Sequence, residues 1–386
     1  MDQTIAANLR RLRAVMNLTQ DEVAEKAGLS RAGYRNIENR KTLPRASTLE
    51  ALAEVFGVSL QELVTPVPVL RYVRFRSFKR LRTRESILAE AARWLADFNE
   101  LEVILGDRQG YTLAGLAAPP RQRKEKGKVS PEEVAGEVRR SFGLGPREPV
   151  RDICGLLEAN GVKMLPLRVA SDAFFGLSVA PEDGGPAVVV NTWERISVER
   201  WIFTAVHELG HLVLHQKAYD VQHKEEAMVE EKQANLFAGY FLMPQEVFHD
   251  EWADTLGLAF LDRVLKVKRI FRVSYKTVLY RLAETANLGT NVWQRFQSEY
   301  RVRHGRTLMK DDEPDALAAD AFQASFPEAS KAGEPEDLSC ADFMVDRLSG
   351  LVRRGVESGA ISLGRAAEIL GLSLSEARSL AASWVG

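Results

Sequence analysis

The chain has 386 residues, 45% of them hydrophobic and 27% charged, an ordinary globular composition long enough for two or three domains. Its 52 basic and 53 acidic residues nearly cancel, so overall charge gives no reason to expect nucleic acid and only a local basic patch could. Two cysteines, Cys154 and Cys340, exclude a disulfide framework, and there is neither a signal-peptide core nor a run of about 18 apolar residues; the expectation is a cytoplasmic protein without a membrane span.

In chain order, Ile5, Leu9, Leu12 and Val15 repeat at helical spacing. Thr19 caps a second helix over 20–27, which stops at Gly28, and Ser30 caps a third over 31–38. A loop at 39–44 and closing helices at 47–56 and 59–64 complete a five-helix domain over 1–66. The segment 67–129 opens with seven basic and no acidic residues between Arg71 and Arg84, a stretch that reads as phosphate-contacting or as a solvated strand or linker face. A long helix over 85–105 and a charged linker at 121–128 follow. Residues 130–300 read as one α+β unit: helices at 131–142 and 150–160, strands at 162–167, 174–179 and 187–191, then helices at 198–216 and 226–241. An acidic, proline-containing linker covers 301–340, and 341–386 form a C-terminal helical module with helix-turn-helix spacing. The expected fold class is multidomain: an all-α head, an α+β core with a small sheet, and a helical C-terminal region.

His207-Glu208-Leu209-Gly210-His211 carries the chemistry. Histidines four apart lie about one helical turn apart on one face and can grip one zinc ion, while Glu208 beside them can take a proton from water held there. A catalytic zinc site needs a third protein ligand. Glu231, twenty residues after His211 on the next helix, is the first choice, with Glu230 and Glu226 as fallbacks. Asn235, one turn beyond Glu231, is placed to orient a ligating histidine. His215 continues the row, to pack the helix end or brace a ligand; His223, His249 and His304 have no spacing relation to the motif. Tyr219 and Tyr240 are the tyrosines considered for a second oxyanion donor.

Asn191, then the stretch from Ile202 to His215, then Glu231-Lys-Gln-Ala-Asn-Leu-Phe-Ala through Leu-Met-Pro244, resembles the ImmA/IrrE-type metallo-endopeptidases over about 150–285. The resemblance implies a zincin-like fold, zinc on His207, His211 and Glu231, Glu208 as general base, and peptide-bond hydrolysis. The chain departs from the family at Trp201-Ile202, where an arginine usually precedes the Phe-Thr.

The stretch from Thr19 to Pro44 resembles the Xre/Cro-type helix-turn-helix, with the Ser-Thr-Leu-x-x-Leu-Ala closing helix extending the match over about 5–64. On that pattern Arg31, Ala32 and Asn36 reach base edges, while Gln20, Asn39 and Lys41 meet phosphates. Charge within 1–64 is nearly even, nine basic to eight acidic, but the basic residues gather at Arg31, Arg35, Arg40, Lys41 and Arg45. A single such domain binds weakly, so a homodimer on a palindromic operator is expected. The C-terminal segment 374–384 holds only Arg378 as a basic residue, which favours a protein-binding role.

Together the resemblances imply a DNA-binding regulator fused to a zinc endopeptidase. Its substrate is expected to be a partner regulator or the chain itself, in a stress, prophage or toxin–antitoxin circuit. The alternative is a non-proteolytic repressor or antitoxin whose zincin fold serves as sensor or partner-binding module.

Overall fold

The computed structural model describes residues 2–16, 18–58, 60–66, 70–77, 84–116, 130–215, 228–285, 291–318, 321 and 334–384. The chain divides into two compact units, one made of residues 1–71, 77–105 and 355–386, the other of 72–76 and 106–354.

Five short helices open the first unit: α1 (Asp2–Val15), α2 (Gln20–Lys26), α3 (Arg31–Glu38), α4 (Ala46–Phe56) and α5 (Leu60–Val64). They close around Ile5, Leu9, Val23, Tyr34, Leu52 and Leu63. Local chemistry sets their starts. Thr19 and Glu22 form a reciprocal capping box on α2, and the Ser30 hydroxyl accepts from Gly33 N at the head of α3. At the end of α3, Arg40 takes φ +61°, and Lys41 N donates to Asn36 O at 2.8 Å, closing carbonyls the helix leaves open.

The chain then forms β1 (Val73–Ser77) and α6 (Arg84–Leu105). The basic stretch is therefore in part a strand. Val73 and Arg74 are both buried, a placement that the charge count of the stretch does not suggest.

In the second unit α7 (Pro131–Ser141) and α8 (Ile153–Ala159) precede β2 (Lys163–Leu167), β3 (Phe174–Val179) and β4 (Ala187–Asn191). The sheet order is β1-β3-β4-β2. β2 runs parallel to β4 with Lys163 opposite Ala187, and β3 runs antiparallel to it with Gly176 opposite Val190. β4 lies inside the sheet with all five residues buried, which is why Ala-Val-Val-Val reads as a continuous apolar run. Asn191 at its end is saturated. The two N–H bonds of its amide nitrogen are shared among the carbonyls of Val169, Ser171 and Phe174, and its oxygen accepts from Val169 N and Trp193 N.

Helix α9 (Val198–Leu214) lies on this sheet and α10 (Met228–Leu242) on α9, with Val188, Val190, Ile202, Ala205, Leu209, Phe237 and Phe241 in one core. The expected start of α9 at 198 is the observed one and the expected end of α10 at 241 is one residue short of it, while the expected ends at 216 and 226 lie outside the described residues. There follow α11 (Gln245–Ala253), α12 (Phe260–Phe271), α13 (Tyr275–Thr285), α14 (Asn291–His304), α15 (Arg347–Glu357), α16 (Leu363–Leu370) and α17 (Leu374–Ser383). The C-terminal helices group with α6: Arg365 Nη2 lies 2.5 Å from Asp97 Oδ1 and 2.7 Å from Glu100 Oε2. Among the described residues, no helix is long and apolar enough to cross a membrane.

Candidate functional site

Helix α9 is apolar on nearly every side, so its few polar residues are buried with it; His207, Glu208 and His211 are all fully inaccessible to solvent. Burial of such groups needs compensation. The two imidazole Nε2 atoms lie 2.9 Å apart, and Glu231 of α10 completes the cluster, with Oε1 3.0 Å from His211 Nε2 and Oε2 3.4 Å from His207 Nε2. One ligand-capable atom from each residue falls within 4.8 Å of the others.

The hydrogen bonds around His211 fix which of its nitrogens faces this cluster. Gln233 Oε1, an acceptor only, lies 2.9 Å from His215 Nε2, so that nitrogen carries the proton. His215 is then an acceptor at Nδ1, 2.9 Å from His211 Nδ1, which must donate. His211 Nε2 is left with a lone pair aimed at a carboxylate and a second imidazole. Burial, the largest influence, pushes the His211 pKa down to about 4 and also lowers that of His215, so both rings are neutral near pH 7. A lone pair of His211, the His207 imidazole and the Glu231 carboxylate meeting at one buried point fit a divalent cation, and the donor set matches that of a zinc site.

Two glycines permit this approach. A Cβ on Gly210 would meet Phe237 Cδ1 at 2.9 Å and Ala234 Cα at 3.4 Å, so the glycine inside the motif lets α10 close on α9. On β3, a Cβ at Gly176 would meet Thr204 Cγ2 and Val189 O, each at 2.7 Å, and Glu208 Cγ at 3.4 Å. β3 thus lies directly against Glu208, and the Ser178 hydroxyl donates to Glu208 Oε2 at 2.8 Å.

β1 contributes a cation. Arg74 Nη1 lies 2.5 Å from Glu230 Oε2 and Nη2 lies 3.3 Å from Glu231 Oε1. Glu230, a fallback ligand by sequence, therefore pairs with arginine. Asn235 is exposed on α10, and its side chain has no hydrogen-bond partner among the described residues; Gln233 is the amide that reaches the histidine row, through His215. Tyr240 lies under the Arg281 guanidinium, 3.9 Å from ring centroid to Cζ, while Glu226, Tyr219 and His223 fall outside the described residues. His249 bonds Gln245, and His304 stacks on Tyr300. Arg74, Ser178 and Gln233 were not singled out by sequence. The period-2 pattern of β3 marks alternating faces, but says nothing about which face meets Glu208.

On the head, Arg31, Ala32, Asn39 and Lys41 are exposed and Asn36 is half-buried. Gln20 has a structural partner: its Nε2 donates to Glu38 Oε2 at 2.6 Å. Glu38, at 2% exposure, also accepts from Arg13 Nε at 2.6 Å and the Tyr34 hydroxyl at 2.8 Å, tying α1 and α2 to α3. Burial pushes its pKa up, but the Arg13, Gln20 and Tyr34 hydrogen bonds prevail and leave it lowered. Arg31 Nε lies 2.7 Å from Asp21 Oδ1, but both side chains are largely exposed, so the pair is weak and the guanidinium can be drawn to another anion.

Comparison with known proteins assigns both regions. The helix-turn-helix family matches residues 9–63, and the IrrE N-terminal-like domain matches 160–283. The uncharacterized HTH-type transcriptional regulator y4dJ of Sinorhizobium fredii (strain NBRC 101917 / NGR234) is 39% identical over 66 residues, 17% of this chain and 86% of that protein. The chain belongs to the helix-turn-helix transcriptional regulators. It is a DNA-binding regulator of the Xre type that also carries a domain of the ImmA/IrrE peptidase family. The immunity repressor protein of Bacillus phage phi105 is 38% identical over 61 residues, 16% of this chain and 42% of the repressor. Each of these two alignments covers less than a fifth of the regulator.

Proposed function

We propose that the second unit is a zinc-dependent endopeptidase that cleaves a regulatory protein, either a partner or this chain itself, in a stress, prophage or toxin–antitoxin circuit. The observation that carries this reading is the convergence of His207, His211 and Glu231, with the Gln233–His215–His211 relay turning a lone pair of His211 inward. These three residues would hold the ion, and zinc bound there would supply Lewis acidity toward a peptide carbonyl and make a neighbouring water more acidic.

The chain's own residues do the rest. Glu208 accepts a proton from the attacking water and returns it to the leaving amine, so one carboxylate serves as base and then acid. The Ser178 hydroxyl holds Glu208 Oε2, which fixes the carboxylate's orientation. Burial of Glu208 excludes bulk water and strengthens its hydrogen bonds. On the head, α3 enters the major groove with Arg31, Ala32 and Asn36 at base edges, while Gln20, Asn39 and Lys41 lie along phosphates. The chain acts as a homodimer on a palindromic operator.

Glu208→Gln tests the reading. The variant should keep its zinc, measured by metal analysis, and its operator affinity, measured by gel shift. Cleavage of the regulatory target should fall by roughly 10²–10⁴-fold. Undiminished cleavage would sink the assignment. Unchanged regulation in vivo with the variant would favour a partner-binding or sensing role for the zincin fold.

A further inference from the structure

An extended peptide binds most readily by adding a strand to a sheet edge, where main-chain hydrogen bonds give affinity and alternate side chains give selectivity. β3 presents such an edge beside the site, since Gly176 and Ser178 both lie against Glu208. That edge is filled by β1. Ala180 N donates to Tyr72 O at 2.9 Å, Tyr72 N donates to Asp183 Oδ2 at 2.5 Å, and Phe75 stacks on Phe174 with centroids 5.0 Å apart. Arg74, 6% exposed, reaches Glu230 and Glu231.

The strand lies outside the IrrE N-terminal-like match, which begins at residue 160. It is contributed by a stretch whose neighbours on both sides, 1–71 and 77–105, belong to the other unit. A strand tied to the site by its own chain competes at an effective concentration of about millimolar, so it excludes weaker peptides.

We propose that β1 is a resident occupant of the substrate position, and that the site takes extended peptides carrying an arginine or lysine directed at Glu230 and Glu231. This rests on the endopeptidase reading for its biological meaning, but the binding claim stands without turnover. Arg74 occupies the basic subsite, and Phe75 fills an aromatic contact on Phe174. Release of the strand opens the edge to a basic segment of another protein. A five-residue edge strand is the kind of element that opens locally, well below the free energy of global unfolding.

The test uses the full chain with Glu208→Gln, so that no probe is consumed. Residues 72–77 are replaced by glycine and serine, and a fluorescent synthetic peptide with the sequence of residues 71–77 is titrated by anisotropy. The replaced chain should bind it at least tenfold more tightly than the chain with β1 in place, and Arg74→Ala in the peptide should weaken binding at least tenfold. Equal binding by both chains, no binding by the replaced chain, or indifference to the arginine would each overturn the proposal. If the replaced chain does not fold, Arg74→Ala in the otherwise intact chain decides. Amide hydrogen exchange over 176–179 should quicken at least tenfold relative to β4, and unchanged exchange refutes the proposal. Neither arm reads catalysis, so a chain that cleaves nothing could still pass, and one that cleaves could still fail.

Discussion

Glu158 sits at 3% exposure on α8, where Arg347 N donates to Oε2 at 3.4 Å. Burial raises its pKa to about 7, against an ordinary value of about 4.5. The folded chain therefore holds this proton more tightly than the unfolded chain does, so stability falls as pH rises from about 4.5 to about 7. Glu158→Gln removes that dependence. The variant should match the parent near pH 4.5 and be more stable by about 1–3 kcal/mol at pH 8, read from denaturant melts. A constant difference across this range would refute the shift. Single residues were unevenly legible in sequence. His207, Glu208, His211 and Glu231 follow from helical spacing and resemblance, because their relations are local or lie on neighbouring helices. Arg74 did not, because its meaning comes from Glu230, 156 residues away. Asn235 and Gln233 differ only in angle around α10, and that angle is set by packing on α9.

Between elements, the approach of α9 and α10 is controlled by Gly210. Gly210→Ala places a methyl 2.9 Å from the Phe237 ring, and Phe237 is fully buried, so the helices must separate. We expect a loss of roughly 1–3 kcal/mol of stability and at least a tenfold loss of zinc affinity, measured by melts and competition with a chelating dye. Intact affinity would show that the ligands tolerate the shift. Helices were the legible elements, since Thr19 and Ser30 announce themselves as caps and the apolar periods follow. β4 was equally plain from its valine run. β1 was ambiguous, since a strand with alternating arginines reads as a solvated face until its neighbours are known. α16 is tied to α6 by ion pairs such as Arg365 with Asp97, which no local pattern encodes.

At the scale of the molecule, two units with separate cores should respond separately to metal removal. On the endopeptidase reading, zinc at a thousandfold its dissociation constant stabilises the second unit by about 4 kcal/mol. Chelation should then lower that unit's melting by about 10 °C while the transition of α1–α5 stays within a degree or two, read by calorimetry. A common shift of both transitions, or of neither, would count against a metal confined to α9 and α10.

The division of the chain also bears on its synthesis. The first unit is assembled from residues 1–71, 77–105 and 355–386, and the last of these leaves the ribosome only after the entire second unit has emerged. The α1–α5 bundle has its own core and can form early, and α6, which packs on α1, can join it before α16 and its Arg365 emerge. A nascent or prematurely terminated chain would thus carry a formed DNA reader whose companion helices are missing. Such a fragment could occupy an operator without the rest of the regulator, which makes complete translation a condition for correct control.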